Sequence, residues 1–151
     1  MGITLETPKS ELDAFLLERA RRVNVAVKRG FAVAGEKAIN AARRYGSYTD
    51  RTGNLRSSTG YTLVEDGRIL NQSAFKVVRK GAEGAEAGRD LADKLANDYT
   101  KAVSLIVVAG MSYAQYVQAK GYDVLDNAKI AAEKECENLK RDIQEAIDEN
   151  G

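Results

Sequence analysis

Apolar residues recur through residues 10–45 at steps of three, four and seven, which is the spacing of one face of an α-helix. Thr7 or Ser10 can cap the start of this helix, and Pro8 suits its first turn. Gly46 is the predicted cap at its C-terminal end. The apolar stripe consists of Leu12, Phe15, Leu16, Val23, Val27, Phe31, Ala34, Ala38 and Ala41.

The predicted helix is long for a chain of this size. At 1.5 Å per residue, about 37 residues span roughly 55 Å, whereas a domain of 151 residues is roughly 30 Å across. Two outcomes are therefore open. Either the helix breaks near Gly30 or Gly35, or one of its ends projects and contacts something else.

The pattern changes after a polar link over residues 47–54, in which Gly53 is expected to adopt a positive φ. The dipeptide Asp66-Gly67 lies between two short extended segments and is a strong signal for a β-hairpin. Further strands are predicted around residues 75–78 and over residues 104–109. Together they form a small, mostly antiparallel sheet.

Residues 79–88 are rich in glycine and alanine and carry few large apolar side chains, so they are predicted to form a flexible loop. The three glycines resemble a phosphate-binding loop, but no Gly-Lys-Ser/Thr follows them. A short amphipathic helix is predicted over residues 89–99. One or two helical turns over residues 111–117 and a long helix over residues 124–147 complete the chain.

These elements predict one domain spanning residues 1–151 and an α+β fold. A small antiparallel β-sheet packs against a long N-terminal helix and a C-terminal helix. No apolar stretch is long enough to span a membrane, so we expect no membrane partner.

The net charge of +1 conceals a polarity along the chain. Lys and Arg exceed Asp and Glu by 11 to 6 in residues 1–60, the two are equal at 7 in residues 61–110, and residues 111–151 hold 5 against 9. The basic first part can therefore meet the acidic last part, in the same molecule or in a neighbouring copy.

Composition excludes several kinds of chemistry. The chain has no histidine, so it has no Ser-His or Cys-His nucleophile pair and no imidazole ligand for a metal. The single cysteine, Cys136, cannot form an internal disulfide, and its acidic neighbours disfavour a thiolate. Asp123, Asp126 and Asn127 are the nearest approach to an oxygen-ligand cluster, but they lie where a helix start is expected and are more simply caps. We expect no catalytic residue, no metal and no cofactor.

Tyrosine is unusually abundant, with seven residues against three phenylalanines. A tyrosine ring with a polar tip is favoured at protein interfaces, although it also suits the edge of a core. The candidate interface residues are Arg22, Arg29, Tyr45 and Tyr48.

Two short segments resemble the tail-component family of long-tailed bacteriophages. Residues 52–58, Thr-Gly-Asn-Leu-Arg-Ser-Ser, are similar to that family's Asp-Thr-Gly-x-Leu-Arg-x-Ser segment, with Arg51 in place of the aspartate. Residues 113–118, Tyr-Ala-Gln-Tyr-Val-Gln, are similar to its Tyr-Ala-x-Tyr-Val-Glu. The residues that carry the resemblance are Thr52, Gly53, Asn54, Leu55, Arg56, Ser58, Tyr113, Ala114, Tyr116 and Val117.

The resemblance implies a non-enzymatic structural protein of the phage or prophage tail, or of the head-tail junction, which assembles as a ring such as a hexamer. It also implies phage tail and head-connector proteins as partners. The protein is then expected in the virion, and in the bacterial host cytoplasm during assembly. The overlong helix, the tyrosines and the charge polarity suit contacts between copies.

A different class of function stays open. Arg22 and Arg29 are seven residues apart on the first helix, so a basic stripe could contact nucleic acid phosphates. No base-stacking module accompanies this stripe. The alternative hypothesis is therefore a nucleic-acid-binding accessory protein that uses this arginine-rich helix.

Overall fold

The computed structural model describes residues 2, 4, 7–100 and 102–149. Its elements, in chain order, are α1 Lys9–Tyr45, α2 Asn54–Ser57, β1 Thr59–Glu65, β2 Arg68–Gln72, α3 Ala82–Ala96, β3 Ser104–Ala109, α4 Ala114–Ala119 and α5 Asp126–Glu149. The α+β prediction is confirmed, with a long N-terminal helix, a small antiparallel sheet and a C-terminal helix. The extent of the domain over residues 1–151 stays a prediction.

The three strands lie in the order β2-β1-β3, and both pairings are antiparallel. The predicted hairpin joins β1 to β2. Asp66 and Gly67 both have positive φ, 52° and 74°, as a tight turn that follows the twist of its strands requires. The predicted strand over residues 104–109 is also confirmed, and it pairs with β1 on the other side.

Helix α1 is unbroken and 37 residues long, so of the two expected outcomes the break near Gly30 or Gly35 does not occur. It ends at Gly46, whose backbone N–H donates to the carbonyl of Ala42. The predicted side-chain cap at its start is wrong. Pro8 precedes the first helical residue, and its carbonyl accepts from the N–H groups of Glu11 and Leu12 without a side-chain cap. Ser10 lies inside the helix.

The C-terminal half of α1 packs on β1 and runs antiparallel to α5. Gly35 lies directly on the Tyr61 ring, where an added Cβ would come within 2.6 Å of ring carbons. The same kind of contact sets Gly30 against Leu139, and Lys37 Nζ lies 2.7 Å from Glu135. The projecting end of the helix is therefore the N-terminal one, where the stripe residues Leu12, Phe15, Leu16 and Val23 are exposed.

The predicted flexible loop over residues 79–88 is wrong for most of its length, because α3 begins at Ala82. Small residues repeat on one face of this helix, which includes Gly84 and Gly88. An added Cβ would come 2.0 Å from the Asn54 carbonyl oxygen at Gly84 and 2.4 Å from that of Ser58 at Gly88. The glycines therefore allow the helix to lie against neighbouring backbone.

The predicted strand at residues 75–78 does not form. Phe75 instead has a φ of 44° and is 2% exposed. Its ring fills the space beside two residues without side chains, Gly60 and Gly88. Burial of the ring offsets a backbone conformation that bulky residues rarely adopt, and this turn of the chain takes residues 75–78 away from the sheet.

The final helix starts as predicted. Asp123 accepts from the backbone N–H groups of Asp126 at 2.9 Å and Asn127 at 3.3 Å, and from the Asn127 side-chain amide. These acidic and amide residues are thus a helix cap. Gly121, with a φ of 87°, separates α4 from this cap.

Candidate assembly surface

The two segments that resemble the phage family lie against each other. Leu55 of α2 is buried in one apolar cluster with Ala114 of α4, together with Tyr48 and Val124. Val117 packs against the same cluster. Segments that are about 60 residues apart in the chain therefore form one surface, which we call the motif surface.

A shallow cleft of about 190 Å³ opens on this surface. Its walls come from the link after α1 and from α4, and its lining residues are Tyr48, Thr49, Asp50, Arg51, Thr52, Leu55, Tyr113 and Val117. Tyr113 is partly exposed at the cleft, and Tyr116, one turn further along, is 63% exposed. Tyr113 in the cleft and Tyr116 beside it therefore expose aromatic rings with polar tips, which are suited to protein contacts.

Asp50 holds the turn that leads into α2. Its two carboxylate oxygens accept from the backbone N–H groups of Gly53 and Arg56, both at 2.9 Å. Gly53 has a φ of 85°, as predicted, and an added Cβ would clash with the Val78 carbonyl oxygen at 2.0 Å. Asp50, one residue before Arg51, thus supplies the acceptors for the backbone at the start of α2.

Sequence reasoning missed Asp50, although a signal was available. An aspartate side chain that accepts from the backbone N–H three residues further on has the spacing of a helix N-cap, and such side chains are common just before a helix. Asp50 is 7% exposed, and its backbone carbonyl also accepts from Arg79 at 2.8 Å. It is therefore a structural residue of this surface.

Several of the predicted site residues make backbone contacts. Thr52 Oγ1 accepts from the Asn54 N–H at 3.3 Å, and Asn54 Oδ1 accepts from the Gly84 N–H at 3.3 Å. Ser58 Oγ donates to the Leu55 carbonyl at 2.8 Å. These residues shape the turn and join it to α3. The two motif tyrosines, Tyr113 and Tyr116, are exposed.

Arg56 and Tyr48 tie the end of α1 to α2. The Arg56 guanidinium lies 5.4 Å from the centroid of the Tyr48 ring, and its Nη2 donates to the Gly46 carbonyl at 3.4 Å. Burial raises the pKa of Tyr48 to about 12, and nearby Arg56 opposes this shift. Tyr48 is therefore a neutral, buried support of the surface, whereas Tyr45 is exposed.

The structure does not bring Arg22 and Arg29 to the motif surface. Both lie in the N-terminal half of α1, while Tyr48 follows its C-terminal end. Arg22 Nε lies 3.0 Å from Glu18, and Arg21 Nε lies 2.9 Å from the same carboxylate. The hydrogen bonds from Arg21 and Arg22 lower the pKa of Glu18 to about 2. Part of the basic stripe is therefore already paired within the helix.

Among residues 2, 4, 7–100 and 102–149, no three Asp, Glu or Cys side chains lie where they could share a metal ion. Burial, and then Glu137, Glu133 and Glu135, raise the pKa of the Cys136 thiol, which disfavours the reactive thiolate. No helix in the described ranges is long and apolar enough to cross a membrane.

Comparison with known proteins adds no relative. No family model, no curated protein and no solved structure matches the chain.

Proposed function

We propose that this chain is a non-enzymatic structural protein of the tail or head-tail junction of a long-tailed phage or prophage. It acts by ring-like self-assembly and by contacts with tail and head-connector proteins, so it is located in the virion. The observation that carries the proposal is the motif surface. Two distant segments, each similar to the same family, pack around Leu55 and Ala114.

The shape of the surface supports contacts with protein. The turn under it is fixed by Asp50, while Tyr113 and Tyr116 face outward. Tyrosine is one of the residue types that contribute most of the binding energy at interfaces, so two exposed tyrosines beside a fixed turn are suited to this role.

The test is assembly of variants that alter the rings and keep the fold. We expect the protein, alone at high concentration or mixed with the head-connector and tail proteins encoded beside it, to form rings visible by negative-stain electron microscopy. Tyr113→Ser and Tyr116→Ser should each reduce the ring fraction in sedimentation velocity at least fivefold, with unfolding temperatures close to that of the unmodified protein. Tyr99→Ser, which alters a tyrosine of similar exposure in the link after α3, should assemble normally.

Two results would contradict the proposal. One is a protein that stays monomeric with and without those partners. The other is an equal loss of assembly in the Tyr99 variant. Binding to DNA at low salt that disappears on replacing Arg22 and Arg29 by glutamine would instead support the nucleic-acid hypothesis.

A further inference from the structure

Among the described residues, nothing pairs with the outer edge of β3, which is the last strand in the order β2-β1-β3. The Gly110 N–H donates to the Ser58 carbonyl at 3.1 Å. Because hydrogen-bonded and non-hydrogen-bonded positions alternate along an antiparallel pair, every second residue of β3 counted back from Ala109 turns its backbone N–H and C=O groups away from β1. These outward-facing residues are Leu105, Val107 and Ala109, and each is partly exposed.

The two edges of the sheet differ in how they are protected. Strand β2 begins with Arg68 and carries a bulge at Leu70, which has no partner in β1. Charge and a bulge are two of the features by which proteins keep an edge strand from pairing. Strand β3, Ser-Leu-Ile-Val-Val-Ala, has neither a charged residue nor proline, and its register with β1 is regular. An apolar, regular edge of this kind is a template for another strand.

A cleft of about 440 Å³ opens beside the C-terminal end of this edge. Ala109 lines it, together with Val124 and Leu125 just before α5 and with residues of α4. A strand added along β3 would place the side chain opposite Ala109 on the same face of the sheet, beside this cleft. In strand addition, main-chain hydrogen bonds supply affinity and such pockets select the side chains. A large apolar side chain therefore suits the position opposite Ala109.

We propose that two copies of this chain pair their β3 strands antiparallel about a twofold axis at Val107. Val107 then lies opposite Val107 of the second copy, and Leu105 lies opposite Ala109 of the second copy. All three outward-facing residues thereby enter hydrogen-bonded pairs, each of which exchanges two hydrogen bonds. The largest side chain of the edge meets the smallest, and Leu105 of each copy enters the cleft beside Ala109 of the other.

The side chains and charges around the edge support a second copy as the added strand. On the other face of the sheet the same register sets Ile106 opposite Val108, a pair of β-branched residues that favours cross-strand packing. Val107 packs beside Ala128 of α5, and residues 125–132 of this helix hold one acidic and one basic residue. Like charges therefore do not accumulate at the axis. Because the pairing covers the β3 edge of both copies, it closes as a dimer.

This contact is separate from the motif surface and does not rest on the proposed function. Gln115 and Gln118 line the cleft beside Ala109. At about 100° per residue they lie on the side of α4 opposite to Tyr113 and Tyr116. The serine substitutions of these tyrosines should therefore leave the β3 dimer intact, so failure of one proposal is distinguishable from failure of the other.

The first test is hydrogen exchange of the unmodified full chain, followed by NMR. We expect the amides of Leu105, Val107 and Ala109 to exchange about tenfold more slowly, or slower still, at high protein concentration than after dilution. The amides of Ile106 and Val108 already donate within the sheet and are the internal control, so their exchange should not change. Sedimentation equilibrium should show a dimer at the high concentration. A monomer there, or slowed exchange in β2 instead of β3, would overturn the proposal.

The second test traps the register by oxidation. In a Cys136→Ser background, Val107→Cys places two thiols at the axis, where the Cα atoms of a hydrogen-bonded pair lie about 5.5 Å apart, within the range of a disulfide. Oxidised glutathione should convert most of this variant to a covalent dimer. Leu105→Cys is the matched control and should stay mostly unlinked, because its two copies lie about 14 Å apart along the paired strands. Similar linking of both variants, or linking of the Leu105 variant alone, would overturn the twofold register.

Discussion

The two halves of α1 carry apolar stripes of the same helical period but differ in burial and in side-chain size. The C-terminal half buries mostly small residues, among them Ala34, Gly35 and Ala38, against the sheet and α5. The N-terminal half exposes large ones, Leu12 and Phe15 among them. Small side chains let a helix approach its neighbours closely, whereas large exposed apolar side chains form a patch of the kind that marks interaction sites. Helical period alone therefore does not tell the buried half of α1 from its exposed half.

The largest predicted effect is on stability, and it should distinguish a buried phenylalanine, Phe75, from an exposed one, Phe15. Phe75 is 2% exposed and packed against Gly60 and Gly88, so Phe75→Ala should lower the free energy of unfolding by about 3 to 4 kcal/mol. Phe15→Ala, in the exposed N-terminal half of α1, should lower it by less than about 1 kcal/mol. Urea denaturation measures both. Similar losses for the two substitutions would show that the N-terminal end of α1 belongs to the folded core.

The fold could be predicted where the local sequence favours one secondary structure clearly. The hairpin at Asp66-Gly67, strand β3 and the 37-residue length of α1 are of this kind. Prediction was wrong where tertiary packing overrides the local secondary-structure preference of a residue type. Gly84 and Gly88 favour a loop locally, yet a helix uses them because backbone lies against that face. Phe75 favours a strand, yet it turns inward to fill a space between glycines that no local pattern shows.

The residues of the candidate site could be predicted from the sequence, but the contacts between them could not. The resemblance named Leu55 and Ala114, yet their contact in one cluster depends on the path of the whole chain between them. The role of Asp50 was readable from its spacing to Gly53. That Tyr48 lies buried under Arg56 while Tyr45 is exposed depends on how the chain turns after α1, and two tyrosines three residues apart in the sequence give no sign of it.

A smaller effect should distinguish two glycines within α1. Gly35→Ala places a Cβ 2.6 Å from carbons of the Tyr61 ring, which is 2% exposed and cannot shift. We expect a net loss of about 2 kcal/mol, although alanine favours the helix. Gly30→Ala meets the flexible Leu139 side chain, which can shift, and should change stability by less than about 1 kcal/mol. Thermal unfolding measures both, and an equal loss would mean that the α1–α5 contact is as rigid as the contact with the sheet.

The smallest effect is the pH dependence contributed by Tyr61, under the C-terminal half of α1. Burial and its hydrogen bond to Glu36 raise the pKa of Tyr61 to about 12 from its usual 10. The unfolded chain therefore loses this proton first, so the stabilisation is complete below pH 10 and is lost as the pH rises from 10 to 12. We expect this group to account for about 1 to 2 kcal/mol of the alkaline loss, which Tyr61→Phe should remove from urea titrations at pH 9 to 12. Tyr45→Phe, at the exposed end of the same helix, should leave the alkaline loss unchanged. An unaltered pH profile in the Tyr61 variant would mean that water reaches this hydroxyl, and that the buried half of α1 is less closely packed on the sheet than its small residues indicate.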